Sequence, residues 1–362
     1  MTTMSNASKT EKPRLTTAQD LLKAGVIWDS DYSDIEVISS KYSISVPRHI
    51  AKAIQDNPQS DVLWKQFIPQ PQELNNTALE LNDPIGDEPH SPVKGIVHRY
   101  PDRVLFKIAQ SCAVYCRYCF RREMVGRGKE ALNRDEKETA LNYIRKNKEI
   151  WEVILTGGDP FIYSARQMSK LLKSISEIEH VQVIRVHTRT PISDYSRITD
   201  EYINALNNSC SKPLYIVLHV NHTDEITPEV EETIKKLNKV ECTLLSQSVL
   251  LKDVNDRPAT LEALFKKLIT LHVKPYYLHH PDMAKGTSHF RMSLKEGFDI
   301  YRKLLGKMSG ICQPQYMLDV PGGYGKIPIN ASYIEEINPG NYIIEDYEGN
   351  KHNYYDDPPK VS

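Results

Sequence analysis

The sequence predicts an α/β protein whose core is a partial TIM-like barrel of about six βα units. Short runs rich in apolar and β-branched residues recur along the chain, and longer amphipathic stretches separate them. Neither low-complexity tracts nor solenoid repeats interrupt this alternation. Because about six units fall within roughly 220 residues, we expect an open or partial barrel and not a complete eightfold one.

The predicted strands and helices alternate along the middle of the chain. The strands cover 103–108, 151–156, 181–187, 214–220, 242–247 and 273–279. The helices cover 135–147, 164–178, 228–237, 258–271 and 293–305. Ser164 with Gln167 has the spacing of a capping box, and Thr227 before Pro228 is typical of a helix start. Parallel sheets of this kind place their chemistry at the carboxyl ends of the strands.

The two ends of the chain depart from this pattern. Residues 1–95 predict an N-terminal helical extension that ends in a Pro- and Asn-rich connection over 69–92. Its helical pieces are predicted at 17–24 and 47–55. Residues 96–327 hold the barrel, and the aromatic, polar residues 328–362 are expected to form a short C-terminal cap or a subunit-contact tail.

The charge balance argues for a small ligand. The chain has 46 Lys and Arg against 47 Asp and Glu, a net charge of -1, so no overall basic field attracts nucleic acid or anionic lipid. The first 14 residues lack the apolar core of a signal peptide, and no run approaches the ~20 apolar residues of a membrane span. We therefore expect a cytoplasmic protein.

Three of the six cysteines crowd into one short segment. Cys112, Cys116 and Cys119 follow the first predicted strand, so three thiolates project from one loop. Such a set can hold three irons of a cubane and leave the fourth iron open for a small chelating ligand. A structural zinc site is the alternative, although no fourth Cys or His follows at a compatible spacing. The remaining cysteines, expected to be buried thiols, are Cys210, Cys242 and Cys312.

The C-x3-C-x2-C pattern resembles the signature of the radical S-adenosylmethionine (SAM) superfamily, and this resemblance implies a [4Fe-4S] cluster that binds SAM. The second predicted strand is followed by Gly157-Gly158-Asp159, where paired glycines let the backbone approach a ligand closely. In radical SAM proteins such a turn meets the amino group of SAM. Without that context it would be an ordinary turn.

A lysine near the end of the predicted barrel suggests a second cofactor. Lys326 follows the glycine-rich stretch Asp319-Val-Pro-Gly-Gly-Tyr-Gly. Taken alone, it could contact a phosphate, carry a solvated charge, or form a Schiff base with pyridoxal phosphate (PLP).

The chain from about 97 to 328 resembles the lysine 2,3-aminomutase family, which uses SAM, a [4Fe-4S] cluster and PLP together. The motifs that carry the resemblance occur in the same order. They are His98-Arg-Tyr-Pro-Asp-Arg103, the cysteine loop with Arg121-Arg122, the Gly-Gly-Asp turn, Gln247 to Asp256, Asp282 with His289-Phe-Arg291, and Asp319 to Lys326.

The resemblance assigns roles for PLP and the substrate. Lys326 would bind PLP covalently, and Arg99 and Arg103 would hold the PLP phosphate, with surface ion pairing as the alternative. Arg121 would clamp the substrate α-carboxylate. Asp282 and Asp319 would receive the ε-ammonium of lysine, unless they are helix caps or surface charges. Relatives that act on glutamate would be expected to lack this acidic pair.

The resemblance also implies the contacts of SAM. Residues expected to bind it are Gly157, Gly158, Asp159, Gln247, His219 and Asn221. No cysteine lies beyond Cys312, so we expect neither the additional zinc site of longer family members nor their more elaborate oligomer.

The implied activity is isomerisation of L-lysine to β-lysine by migration of the α-amino group to C3. The segment from Tyr276 to His280 is similar to shorter relatives that form (R)-β-lysine for modification of elongation factor P, so that variant of the reaction stays open. A PLP-free radical SAM enzyme and a noncatalytic Fe-S or zinc module are further alternatives.

The implied partners are an electron donor such as flavodoxin or ferredoxin, and further copies of the chain in a homo-oligomer, a dimer or larger.

Overall fold

The computed structural model describes residues 12–126, 131–330 and 332–355. Most of the N-terminal stretch in which the sequence shows no signal peptide lies outside these ranges. The first elements form a small layer with its own apolar cluster, in which β1 pairs with β2. These elements are β1 (Arg14–Leu15), α1 (Ala18–Lys23), α2 (Tyr32–Lys41), β2 (Val46–Pro47), α3 (Arg48–Asp56) and α4 (Val62–Phe67).

The middle of the chain forms a nine-stranded sheet in the order β11-β10-β9-β8-β7-β6-β5-β4-β3. Its strands are β3 (Ile96–Tyr100), β4 (Arg103–Ala109), β5 (Glu152–Gly157), β6 (Val183–Thr188), β7 (Leu214–His219), β8 (Cys242–Val249), β9 (Lys274–His279), β10 (Gln315–Val320) and β11 (Gly325–Pro328). Its helices are α5 (Arg134–Lys146), α6 (Ala165–Ser176), α7 (Thr190–Ser193), α8 (Asp200–Asn207), α9 (Pro228–Leu237), α10 (Pro258–Thr270) and α11 (Leu294–Arg302).

This topology confirms the predicted (βα)6 partial barrel. All six predicted strands occur, as β4 to β9, and they pair in parallel. The prediction missed α8, the seventh parallel strand β10, and the antiparallel edge strands β3 and β11. Ser164 and Gln167 form the predicted capping box, and Thr227 caps α9 as expected.

Side chains that alternate along each strand separate a core from a lumen. One row points towards the helices and is buried in the main apolar cluster. Across five neighbouring strands this row consists of Phe106, Leu155, Val186, Ile216 and Leu244. Burying each such side chain stabilises the fold by roughly 1.5–3 kcal/mol. Packing against the helices therefore stabilises the sheet, and polar residues can occupy positions on its inner face.

The two edge strands of the sheet meet through a side chain. The hydroxyl of Tyr100 in β3 accepts a hydrogen bond, 2.8 Å long, from the backbone N–H of Lys326 in β11. Gly325 has φ +95°, and a Cβ there would press against the same hydroxyl. A glycine is therefore required for this closure, which brings the barrel near to a full circle.

The last elements form a three-stranded antiparallel sheet, β12 (Ile334–Asn338), β13 (Asn341–Glu345) and β14 (Lys351–Tyr355). It adjoins the barrel where Arg302 of α11 pairs with Glu345. In the part of the chain that the structure describes, no helix has the length and apolar character needed to cross a membrane.

Candidate active site

The cysteine loop lies at the carboxyl edge of the barrel, directly after β4. Cys112, Cys116 and Cys119 are partly buried, and Cys119 N–H donates to the carbonyl of Cys116 at 3.1 Å. Burial raises the pKa of all three thiols, to about 11 for Cys119. The neighbouring thiols contribute to the rise at Cys112 and Cys119. A strongly positive partner such as iron would be needed to hold them as thiolates.

The Gly-Gly-Asp turn is joined to this loop by backbone hydrogen bonds. Gly158 N–H donates to Ala109 at 2.6 Å, and Asp159 N–H donates to Ser111 at 2.9 Å. A Cβ on Gly158 would overlap the Ser111 carbonyl. The paired glycines are thus explained by close packing of β5 against the cysteine loop, whether or not SAM also contacts them.

The carboxylate of Asp159, predicted to contact SAM, is engaged within the fold. It accepts hydrogen bonds from Phe161 N–H, the Thr188 hydroxyl, Arg189 N–H and Thr190 N–H, at 2.6 to 2.9 Å. It is also buried, which raises its pKa. Because both oxygens are engaged within the fold, this side chain orders the turn after β6, and the predicted contact of Asp159 with SAM stays a prediction.

Of the other residues predicted to contact SAM, two face the lumen from neighbouring strands. His219 and Gln247 are register partners on β7 and β8. His219 lies 2.8 Å from the Tyr118 hydroxyl, and burial lowers its pKa well below the usual value, so the imidazole is neutral. Within the described residues the Gln247 amide has no hydrogen-bond partner, so it is open to a ligand.

The side-chain amide of Asn221, also predicted to contact SAM, is engaged within the protein. Its side chain is fully buried, donates to Gln66 at 3.0 Å and Tyr118 at 2.6 Å, and accepts from Val249 N–H at 2.8 Å. Both amide hydrogens are therefore used inside the protein. The predicted contact of Asn221 with SAM stays a prediction.

Lys326 and the two predicted aspartates come together at the last strands. The ammonium of Lys326 pairs with Oδ2 of Asp319, while Oδ1 of Asp319 is buried without a hydrogen-bond partner among the described residues. Burial and the nearby Asp319 raise the pKa of Asp282 to about 7. The buried carboxylate of Asp319, with its free oxygen, and the half-buried carboxyl of Asp282 form a site that suits a cationic group.

Three cations converge on one buried carboxylate beside this pair. Asp87, 1% exposed at its side chain, lies 3.0 Å from Arg121, 3.6 Å from Arg99 and 3.7 Å from Lys107. Nε of Arg99 is buried and has no partner within the described ranges. Arg121 and Arg99, predicted to bind a carboxylate and a phosphate, are thus neighbours in a basic cluster. The sequence analysis missed Asp87 and Lys107.

Arg103 has partners of its own and does not pair with Asp87. It starts β4, so it sits at the opposite end of the strand from the cysteine loop. Its guanidinium contacts Asp102 at 2.6 Å and stacks 3.9 Å from the centre of the Tyr100 ring. The same tyrosine accepts a hydrogen bond from the backbone N–H of Lys326, and the predicted contact of Arg103 with the PLP phosphate stays a prediction.

Two lumen histidines were also missed. Burial lowers the pKa of His279 to about 3, and its Nδ1 lies 3.7 Å from Asp319. Burial lowers the pKa of His187 well below the usual value, and the charges of Arg185 and Lys326 add to that effect. Nε2 of His187 is buried without a partner in the described parts of the chain. The sequence could have indicated them, because each histidine is adjacent in its strand to a core residue and should therefore point to the opposite face of the sheet.

The residues present fit the cofactors that this arrangement suggests. The unpartnered Nε of Arg99 and the basic cluster suit a phosphate, and Lys326 supplies an amine at the same edge of the barrel. Three thiols on one loop suit an iron-sulfur cluster with an open iron.

Comparisons with known proteins identify the family of the chain. Residues 106–264 match the family model of the radical SAM superfamily, and residues 301–361 match a lysine-2,3-aminomutase model. The L-lysine 2,3-aminomutase of Methanococcus maripaludis is 38% identical over 90% of this chain and 75% of that protein. The L-lysine 2,3-aminomutase of Clostridium subterminale is 33% identical over 93% of this chain and 80% of its own. The glutamate 2,3-aminomutase of Clostridioides difficile is 32% identical, with coverage of 95% and 81%. The chain therefore belongs to the lysine 2,3-aminomutase family, within the radical SAM superfamily.

Proposed function

We propose that this chain is an L-lysine 2,3-aminomutase that moves the α-amino group of lysine to C3. The observation that carries this choice is the acidic pair Asp282 and Asp319, with the free Oδ1 of Asp319, beside Lys326. Identity alone does not choose the substrate, since relatives named for lysine and for glutamate are 33% and 32% identical to this chain. A pair of carboxylates, one buried and one half-buried, favours a side chain that ends in an ammonium and repels one that ends in a carboxylate.

The distal ammonium of lysine would take the position that the Lys326 ammonium holds in the structure. The Lys326–Asp319 ion pair supports this, because it demonstrates that Asp319 accepts an amine there. With PLP held by Lys326, Asp319 would no longer face the free Lys326 ammonium, and its carboxylate would be available to a cationic substrate group. Asp282 would then be ionised by the arriving cation.

The other end of the substrate would be held by Arg121, whose planar fork matches a carboxylate. Arg99 and Lys107 would hold the PLP phosphate, and Arg103 would join them if its pair with Asp102 opens. Cys112, Cys116 and Cys119 would hold the [4Fe-4S] cluster. The Gly157–Gly158 backbone, His219 and Gln247 would contact SAM.

When bound, the cluster and SAM supply a carbon radical that removes hydrogen from the substrate, and PLP supplies a conjugated system through which the amine migrates. The protein's own contribution is position and exclusion. Arg121 and the acidic pair fix both ends of the amino acid, so C3 is held at one depth in the lumen. The near-complete barrel, closed through Tyr100, limits the access of water.

The remaining assignments concern the whole protein. We infer an extension over 1–95, a catalytic barrel over 96–327 and a tail over 328–362. Exposed apolar side chains on the tail, including Ile334 at 58%, Ile337 at 46% and Tyr354 at 51%, support its use as a subunit contact in a homo-oligomer. A low-potential donor such as flavodoxin or ferredoxin would supply the electron, and the protein would act in the cytoplasm.

Two measurements test the proposal. Borohydride reduction of the PLP-loaded protein should leave a pyridoxyl group on Lys326, identified by peptide mass spectrometry, and none in K326A. With PLP bound, lysine should change the visible absorbance of PLP at a far lower concentration than glutamate. In D282N and D319N the difference between the concentrations of the two amino acids should be smaller. A pyridoxyl group elsewhere, or equal responses to the two amino acids, would refute the assignment.

A further inference from the structure

A buried arginine links the cysteine loop to the turn after β6. Arg189 follows β6 directly, and its side chain is 7% exposed. Its Nη1 donates to the sulfur of Cys116 at 3.1 Å. Its backbone N–H donates to the carboxylate of Asp159 at 2.7 Å. Asp159 belongs to the Gly-Gly-Asp turn, so this turn fixes the backbone of Arg189.

The second amino group of the guanidinium is also held, while Nε is buried without a hydrogen-bond partner in the described residues. Nη2 donates to Gln66 at 3.0 Å and pairs with Glu225, whose side chain is 2% exposed. The guanidinium lies 4.7 Å from the centre of the Phe67 ring. These partners come from α4 and from the loop after β7. Two separate parts of the fold therefore hold the Arg189 side chain in its position.

From these contacts we infer that Arg189 is a positioning residue that sets the reduction potential of the cluster through its hydrogen bond to Cys116. The inference rests on the proposed cluster at the three cysteines. A cluster that takes up one electron from a low-potential donor gains negative charge, part of which resides on its cysteine sulfurs. An N–H donor with a positive charge at one sulfur stabilises that reduced form and raises the potential.

Glu225 has the opposite effect. Its carboxylate lies on the far side of the guanidinium and offsets part of the positive charge that Cys116 experiences. The two residues thus form a dipole with its positive end at the sulfur. Low exposure of both side chains keeps this dipole from being screened by water or salt.

The test is a redox titration of the reconstituted cluster, followed by electron paramagnetic resonance under anaerobic conditions without SAM. R189Q should lower the midpoint potential, R189K should fall between R189Q and the parent, and E225Q should raise it. The matched control is R291Q, which removes a guanidinium from another buried pair, Arg291 with Glu80 at 2.8 Å. That variant should titrate like the parent.

Shifts of opposite sign at Arg189 and Glu225 distinguish tuning from general damage, which would move both variants in one direction. If R189Q binds no cluster, the midpoint potentials of R189K and E225Q test the inference instead. An unchanged potential in R189K and E225Q at full iron and sulfide content would overturn the inference. A parent protein that binds no cluster at all would instead refute the proposed function, and the iron content reports that separately.

Discussion

Arg121, the residue that follows the cysteine loop, donates two hydrogen bonds to Asp87, at 3.2 Å from Nε and 3.0 Å from Nη2. Asp87 comes from the connection that precedes the barrel, 34 residues earlier in the chain. The same carboxylate faces Arg99 and Lys107. An internal anion therefore joins the groups proposed to bind the substrate carboxylate and the cofactor phosphate.

Removing that internal anion should destabilise the protein in a way that an added anion corrects. D87N leaves Arg99, Lys107 and Arg121 without their shared counter-charge, at a cost of roughly 3–5 kcal/mol in the free energy of unfolding. Inorganic phosphate should restore more stability to D87N than to the parent. Urea unfolding with and without phosphate at constant ionic strength measures this. E88Q, an exposed neighbour, is the control, and equal stabilisation of all three proteins would contradict the prediction.

Use of lysine should depend on pH through Asp282. Burial and Asp319 raise the pKa of Asp282 to about 7, so this carboxyl is neutral below that pH and attracts the ε-ammonium less. We expect kcat/KM for lysine to rise about tenfold between pH 6 and pH 8 as the group ionises. In D282N, kcat/KM should no longer rise over this pH range through ionisation of residue 282. Any pH dependence caused by the amino groups of lysine should remain. Superimposable profiles of the two proteins would argue against an ionised Asp282.

Glu73 should be among the most sensitive positions for stability. Its side chain is 0% exposed and pairs with both Arg117 and Arg122, which flank the last cluster cysteine. These arginines hold the pKa of Glu73 below its usual value against the effect of burial, so the group is charged in the folded protein. E73Q should lower the free energy of unfolding by roughly 3–5 kcal/mol, because two buried arginines lose their carboxylate.

The matched control is E262Q, which breaks the surface pair of Glu262 with Lys266 on α10. Exposed pairs contribute little, so only a small change is expected there. Chemical denaturation of the cluster-free protein measures both variants. A comparable loss in the two would show that the Glu73 contacts add nothing beyond an ordinary surface pair.

Local pattern was enough to predict the barrel and the position of its cysteine loop. Apolar runs separated by amphipathic stretches located β4 to β9, and the helix start at Thr227 was correct because capping depends on neighbouring residues alone. The seventh strand β10 was missed, since Gln315–Val320 mixes polar with apolar residues and follows an irregular segment.

The partners of the site residues could not be predicted in the same way. Glu73, Asp87 and Gln66 lie in segments with no motif, and each meets the cysteine loop or its surroundings across 34 to 159 residues of chain. For Asn221, too, only the folded structure reveals which neighbours satisfy its amide. Long-range pairing of buried charges is set by the whole fold.

The central claim is migration of the lysine α-amino group, and an isotope tracer tests it most directly. L-lysine labelled with ¹⁵N at the α-amino group should be incubated anaerobically with the reconstituted protein, SAM, PLP and a chemical reductant. The account predicts β-lysine with ¹⁵N on C3 by nuclear magnetic resonance and mass spectrometry, and none with C112A or K326A. Unchanged lysine alongside conversion of glutamate, or β-lysine formed equally by K326A, would contradict it.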